Sequence, residues 1–188
     1  MEAQVLEPVA LKPNQNIRPL AEVLQYENEN VPHRFKKLFD VTDEEANDIF
    51  NETKKWLWLC AVTYELNKRG KIDFIVGIIQ GLPMIDQMWH NFILHTQAYE
   101  AFCQKYFGAF VHHVPTTKAD DEYRKTSSEE HRANMTDFYH NQHSITYDLL
   151  GEETCTKWYI EWAVKYSRAE IDKITKPLSA FVNANPEA

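Results

Sequence analysis

At 188 residues, with 44% hydrophobic and 13% aromatic side chains, the chain is long enough for one domain with a real core and too apolar to stay disordered. Its formal charge of −8, with no long basic run, argues against a nucleic-acid partner, because phosphate binding rests on clustered Lys and Arg. The longest apolar runs, WLWLCAV and FIVGII, fall far short of the ~20 residues that span a bilayer, so no membrane insertion is expected.

Residues 1–18 have little periodicity and carry Pro8 and Pro13; they read as an extended or flexible arm. The helical domain is expected over 19–175 and a peripheral tail over 176–188. Short helical pieces are expected at 19–26 and 33–40. The first strong helix opens in VTDEEANDIF, where Thr42 can cap, Glu45 follows three residues on, and Asp43 and Glu44 suit the positive end of the dipole. Ile49, Thr53, Trp56, Cys60, Thr63 and Tyr64 then share one face. Trp58 and Leu59 fall off that stripe, so the second half should be buried on more than one side. The helix should end near Asn67, with Arg69-Gly70 as the stop.

KIDFIVGIIQGLP, over 71–83, reads equally as a short strand or a buried helical turn. Pro83 then suits the first turn of a central helix that runs to Gly108. The loop FVHHVPTT follows, with Pro115 keeping Val114 out of the α region. Helical pattern resumes in TSSEEHRANMTDFYHNQHSITYDLLG, with Ser127 and Glu130 as a capping-box pair and Gly151 as the stop. A last strong helix, EETCTKWYIEWAVKYSRAEI, aligns Cys155, Trp158, Tyr159, Trp162 and Tyr166 on one side. With only five glycines in the whole chain, these elements add up to an all-α fold, a single helical domain of five or six main helices.

Four of the eight histidines lie between Met84 and Pro115. Asp86 and His90 stand four apart and are neighbours on a helix. Both could bind one cation, or Asp86 could orient one ring nitrogen of His90; the bland alternative is a hydrogen-bonded pair. His112 and His113 are adjacent in an extended loop, so they point to opposite sides and one at most faces inward. Asp86, His90 and one of His112 or His113 would give the two-histidine, one-carboxylate set of non-haem iron or of an open zinc site. His95 recurs with Tyr99 and Cys103 every four residues on the main apolar face. It reads most simply as a core histidine bonded to a carbonyl or a tyrosine. His131 shares a stripe with Met135, Phe138, Gln142, Ile145 and Leu149 and is a candidate extra ligand. His140 and His143 read as surface residues. The three cysteines form no CxxC pair, and with no leader pattern at the N-terminus they suggest a reducing, cytoplasmic setting. No GxSxG, P-loop, GxGxxG or HExxH is present.

The stretch IDQMWHNFILHTQAYEAFCQKYFGAFVHHVP resembles the core signature of the glycine-rich domain-containing protein-like family, a domain of unknown function. That signature combines an aspartate, a Trp-His pair, a tyrosine, a cysteine, a glycine and a closing histidine with a nearby proline. Asp86, Trp89, His90, Tyr99, Cys103, Gly108, His113 and Pro115 match in order. Phe92 stands where plant members often carry a second histidine, and the glycine-rich extension is absent, so the chain resembles a short, stand-alone, bacterial-type member. The resemblance implies that these residues form a related set; it implies no activity.

Three readings follow. Nothing in the sequence demonstrates turnover, so a non-enzymatic module with structural histidines and an unknown protein partner leads narrowly. A zinc- or iron-binding domain, enzymatic or not, comes next. A metal-free enzyme using His90 as base and Asp86 as orienter is third.

Overall fold

A computed structural model describes residues 16–119, 122 and 129–177, without the side chains of 130 and 131. The first helices are α1 Leu20–Leu24, α2 Asn30–Leu38, α3 Asp43–Lys68, α4 Pro83–Ile93 and α5 Thr96–Phe107. They are followed by α6 Glu129–Thr156, a π-helical turn at Lys157–Glu161, α7 Trp162–Lys165 and α8 Arg168–Ile174. Among the described residues six helices reach seven residues or more and no strand occurs; Phe39 and Thr175 form an isolated antiparallel bridge. The fold is all-α, as expected.

Thr42 starts α3 with a complete capping box: the Glu45 amide donates to Thr42 Oγ1 and the Thr42 amide to Glu45 Oε2, each at 3.1 Å. The Thr42 amide, with Lys165 at 3.0 Å, holds the Glu45 carboxyl below its ordinary range. The helix runs to Lys68 and packs against α1, α2 and α4. It, rather than the 83–108 stretch, is the centre of the domain. Ile49, Trp56, Leu57, Leu59 and Val62 are all buried, so the second half is covered on several sides. Tyr64 departs from the expected stripe and is 61% exposed. Lys54 is buried within α3 and donates to the carbonyls of Leu24 (3.0 Å) and Tyr26 (2.7 Å), closing the end of α1. Burial pulls its pKa down to about 8.

A second polar link joins α3 to the π turn. Glu52, its side chain only 4% exposed, accepts from Lys55 (3.0 Å) and Lys157 (2.9 Å) through Oε1, and from Trp158 Nε1 (2.8 Å) through Oε2. The widened turn presents Lys157 and Trp158, neighbours in sequence, to the same carboxylate. Residues 72–79 are neither strand nor helix. This irregular segment is pinned at Gly77, whose amide donates to Gln142 Oε1 (2.8 Å), and at Gly81. Gly81 has φ +94°, and a Cβ there would lie 2.0 Å from the Trp158 carbonyl oxygen, so only glycine lets the two backbones approach.

The stretch from 83 to 108 is two helices. Pro83 opens α4 at its first turn and Gly108, at φ 69°, closes α5, as the sequence suggests. The chain breaks between them at His95 (φ −85°, ψ 59°), with no glycine or proline to announce it. In one continuous helix Trp89 and Tyr99 would be separated by about 15 Å along the axis. The break instead brings Trp89 Nε1 within 2.8 Å of the Tyr99 hydroxyl and packs Phe92 edge-on against Tyr99 at 5.1 Å. Burial of these aromatics outweighs continuity of the backbone ladder.

Gly151 (φ 83°) bends the chain rather than ending it, and helix resumes directly after it. The expected Ser127–Glu130 cap lies outside the described residues. Of the expected arm, 16–18 are described and held: the Arg18 amide donates to the Tyr106 carbonyl (2.8 Å), and Trp58 Nε1 donates to the Arg18 carbonyl (2.9 Å). Residues 1–15 of the arm and 178–188 of the tail lie outside the described ones; Lys176 is tied to the Leu38 carbonyl at 2.8 Å.

Candidate metal centre

The rotation of α4 about its axis is set by the neighbours of His90. Trp89 is buried on one side of it. Asn91, on the other, is buried with Nδ2 donating to the Val31 carbonyl (2.9 Å) and Oδ1 accepting from Arg34 (2.6 Å). With those two turned inward, Asp86 and His90 share the outer face of α4, the side chain of Asp86 22% and that of His90 51% exposed.

His113 returns from the loop after α5 to the same face. Its Nε2 lies 2.9 Å from Asp86 Oδ1, and its side chain is 19% exposed. Its ring lies 4.2 Å from that of His90 and 4.4 Å from that of Trp89, centroid to centroid. His90 Nδ1 is 2.8 Å from the backbone carbonyl of Asp86 and 3.5 Å from its Oδ2. A carbonyl can only accept, so Nδ1 carries a proton in that bond and a neutral His90 keeps its lone pair on Nε2. Asp86, His90 and His113 each offer one ligand atom, and these atoms all lie within 4.8 Å of one another. Tetrahedral ligands at the usual zinc distances sit roughly 3.3 Å apart, so closing the set around an ion asks for movements on the order of 1 Å. The Asp86–His113 hydrogen bond would be exchanged for two metal bonds, with loss of its proton.

Of the two loop histidines only His113 joins the set. His112 points outward, exposed, with its ring 4.8 Å from that of Phe110, which is the opposite-sides geometry expected of adjacent residues in extended chain. His95 does not have the expected carbonyl or tyrosine partner: its buried Nε2 has none among the described residues, and burial pulls its pKa down. Tyr99 is instead committed to Trp89 and, as a donor at 2.6 Å, to the Val111 carbonyl. The backbone of His131 lies in α6, and its side chain is outside the described ones. His140 and His143 are exposed as expected, and they line an open groove of about 680 Å³ beside the π turn with Tyr147, Cys155 and Tyr159. None of Asp86, His90 and His113 lines that groove. Burial raises the thiol pKa of all three cysteines, so none is an activated nucleophile. Pro115 is exposed in the loop. The residue with no signal in the sequence is Val111, which takes part through its backbone.

Fold and site together define an all-α protein with a two-histidine, one-carboxylate cluster on the outer face of a helix. The chain matches the UCP032817-like family over residues 23–136 and belongs to it. That family is uncharacterised, and the match does not bear on the resemblance to glycine-rich domain-containing proteins. No match is found among curated proteins or among solved structures. The whole cluster lies inside the matched span; the π turn and its groove lie outside it.

Proposed function

We propose that this is a metal-binding domain in which Asp86, His90 and His113 hold one zinc or iron ion. The observation that carries the reading is the meeting of three ligand atoms within 4.8 Å, supplied by two elements that the chain separates by more than twenty residues. Two imidazoles and a carboxylate are the donors that suit zinc or non-haem iron. The bond from His90 Nδ1 to a backbone carbonyl is the support that metal-ligating histidines ordinarily have, since it fixes the tautomer and aims the other nitrogen. Because His90 is half exposed, the remaining coordination positions would open to solvent, as in sites that bind water or substrate rather than closed structural ones.

The test is elemental analysis of tag-free protein purified without chelators, for wild type, Asp86→Ala, His90→Ala, His113→Ala and His112→Ala. Near-stoichiometric zinc or iron in wild type and His112→Ala, and its loss in the other three, is the expected result. Folded wild type that carries no metal and takes up none on dialysis against zinc or ferrous iron would end this reading.

The interaction-module reading has one specific observation in its favour: Ile160 and Val164, four residues apart, are exposed apolar side chains remote in sequence from Asp86, His90 and His113. Loss of a captured partner on Ile160→Asp, with metal content unchanged, would support it. A cytoplasmic setting, suggested by the free cysteines, and kinship with the glycine-rich domain-containing proteins stand as proposals beside these.

A further inference from the structure

We infer that Trp89 and Tyr99 form a tether that acts through the backbone of Val111 to set His113 in place, making them positioning residues for the third ligand. His113 lies in a segment, 110–117, with no helix or strand of its own. A ligand on an unrestrained loop loses that freedom each time an ion binds, and the affinity falls accordingly.

Here the freedom is removed beforehand. The Tyr99 hydroxyl, fully buried, donates to the Val111 carbonyl at 2.6 Å and accepts from Trp89 Nε1 at 2.8 Å. Phe110 packs edge-on against the Tyr99 ring at 5.1 Å. Two residues after Val111 the chain reaches His113, whose ring meets Trp89 at 4.4 Å. Trp89 therefore touches the tether with its nitrogen and the ligand with its ring, while its neighbour His90 supplies another ligand. Gly108 begins the return at φ 69°, and a Cβ there would lie 2.9 Å from that of Asn16. The spacing of tryptophan, tyrosine and glycine is then the spacing of one device: a helix break that brings Tyr99 beneath Trp89, and a bond that holds the loop.

The inference rests on the metal reading only for its effect on affinity, so two readouts are used. In metal-free protein, the cross-peak between the His90 and His113 imidazoles in nuclear Overhauser spectra reports the loop's position. It should vanish in Tyr99→Phe, which keeps the ring and removes both hydrogen bonds. It should weaken in Trp89→Phe, which keeps the Tyr99–Val111 bond and serves should Tyr99→Phe fail to fold. In zinc titrations Tyr99→Phe should bind about ten- to a hundredfold more weakly, the usual cost of losing a supporting group behind a metal ligand. Glu52→Gln, destabilised at the other polar cluster, should bind like wild type. An unchanged cross-peak in the folded variants, or wild-type zinc affinity in Tyr99→Phe, overturns the tether. Wild type that binds neither zinc nor ferrous iron ends the metal reading alone, and the cross-peak still decides the tether.

Discussion

Two polar clusters built from similar groups have opposite characters. At Glu52 both carboxylate oxygens are occupied by Lys55, Lys157 and Trp158 within a nearly closed interface. At Asp86 the carboxylate has one imidazole on Oδ1 at 2.9 Å, and the other imidazole turns to a backbone carbonyl, leaving a nitrogen free at a half-exposed position. A buried charge must be saturated by its own protein or it destabilises the fold. A cluster at the edge of the core can leave valence unused, because water satisfies it until a ligand arrives. The first is architecture, and the second is where we propose function.

The largest expected effect breaks the first cluster. Glu52→Ala strands the Trp158 indole and leaves Lys157 to Asp48 alone (2.6 Å), and should cost about 1–3 kcal/mol in urea unfolding, as leaving a buried donor unsatisfied does. Metal affinity in whatever fraction stays folded should not change. If the loss were under about 1 kcal/mol, the size of an exposed pair, the contrast between the clusters would fail.

A pH series sharpens the same point at Lys54. Its folded pKa, about 8, lies below the ordinary lysine value, so between these two pH values the unfolded chain holds more of this proton. Stability from this group therefore rises with pH from about 8 to about 10.4 and is flat above. The difference between wild type and Lys54→Met, taken at each pH, should show that slope and cancel the contributions of other groups. A pH-independent difference would mean that Lys54 is charged and satisfied by its two carbonyls throughout.

Thr42→Ala removes the acceptor of the capping box and should cost about 1 kcal/mol. Glu45, held low in pKa by the same box and by Lys165, stabilises the fold above its unfolded pKa. That stability is lost as the pH falls through its lower folded value, and chemical denaturation across the acid range should show a smaller loss in Lys165→Met, whereas Thr42→Ala keeps the amide that donates to Glu45. The smallest change in stability belongs to the site itself. His90→Ala, at a half-exposed position, should leave the unfolding midpoint within about 0.5 kcal/mol of wild type while abolishing metal binding. A large loss of stability in the metal-free variant would move His90 into the architectural class with Glu52.

Local chemistry alone determined a good deal of this protein. The Thr42 cap, Pro83 at the start of α4, Gly108 at the end of α5 and the all-α class follow from residue types whose preferences are local. So does the pairing of Asp86 with His90, because four residues make one helical turn. Only the tertiary structure decided the rest. It put α3 at the centre, since the sides of a long helix that will be covered depend on which neighbours arrive. It broke the chain at His95, where no residue signals a stop, because burying Trp89, Phe92 and Tyr99 together outweighs an unbroken ladder. It chose His113 over His112, since either histidine of an extended pair can face inward and the choice was made by the hold on Val111, a backbone contact that leaves no mark on the side chain of the residue that makes it.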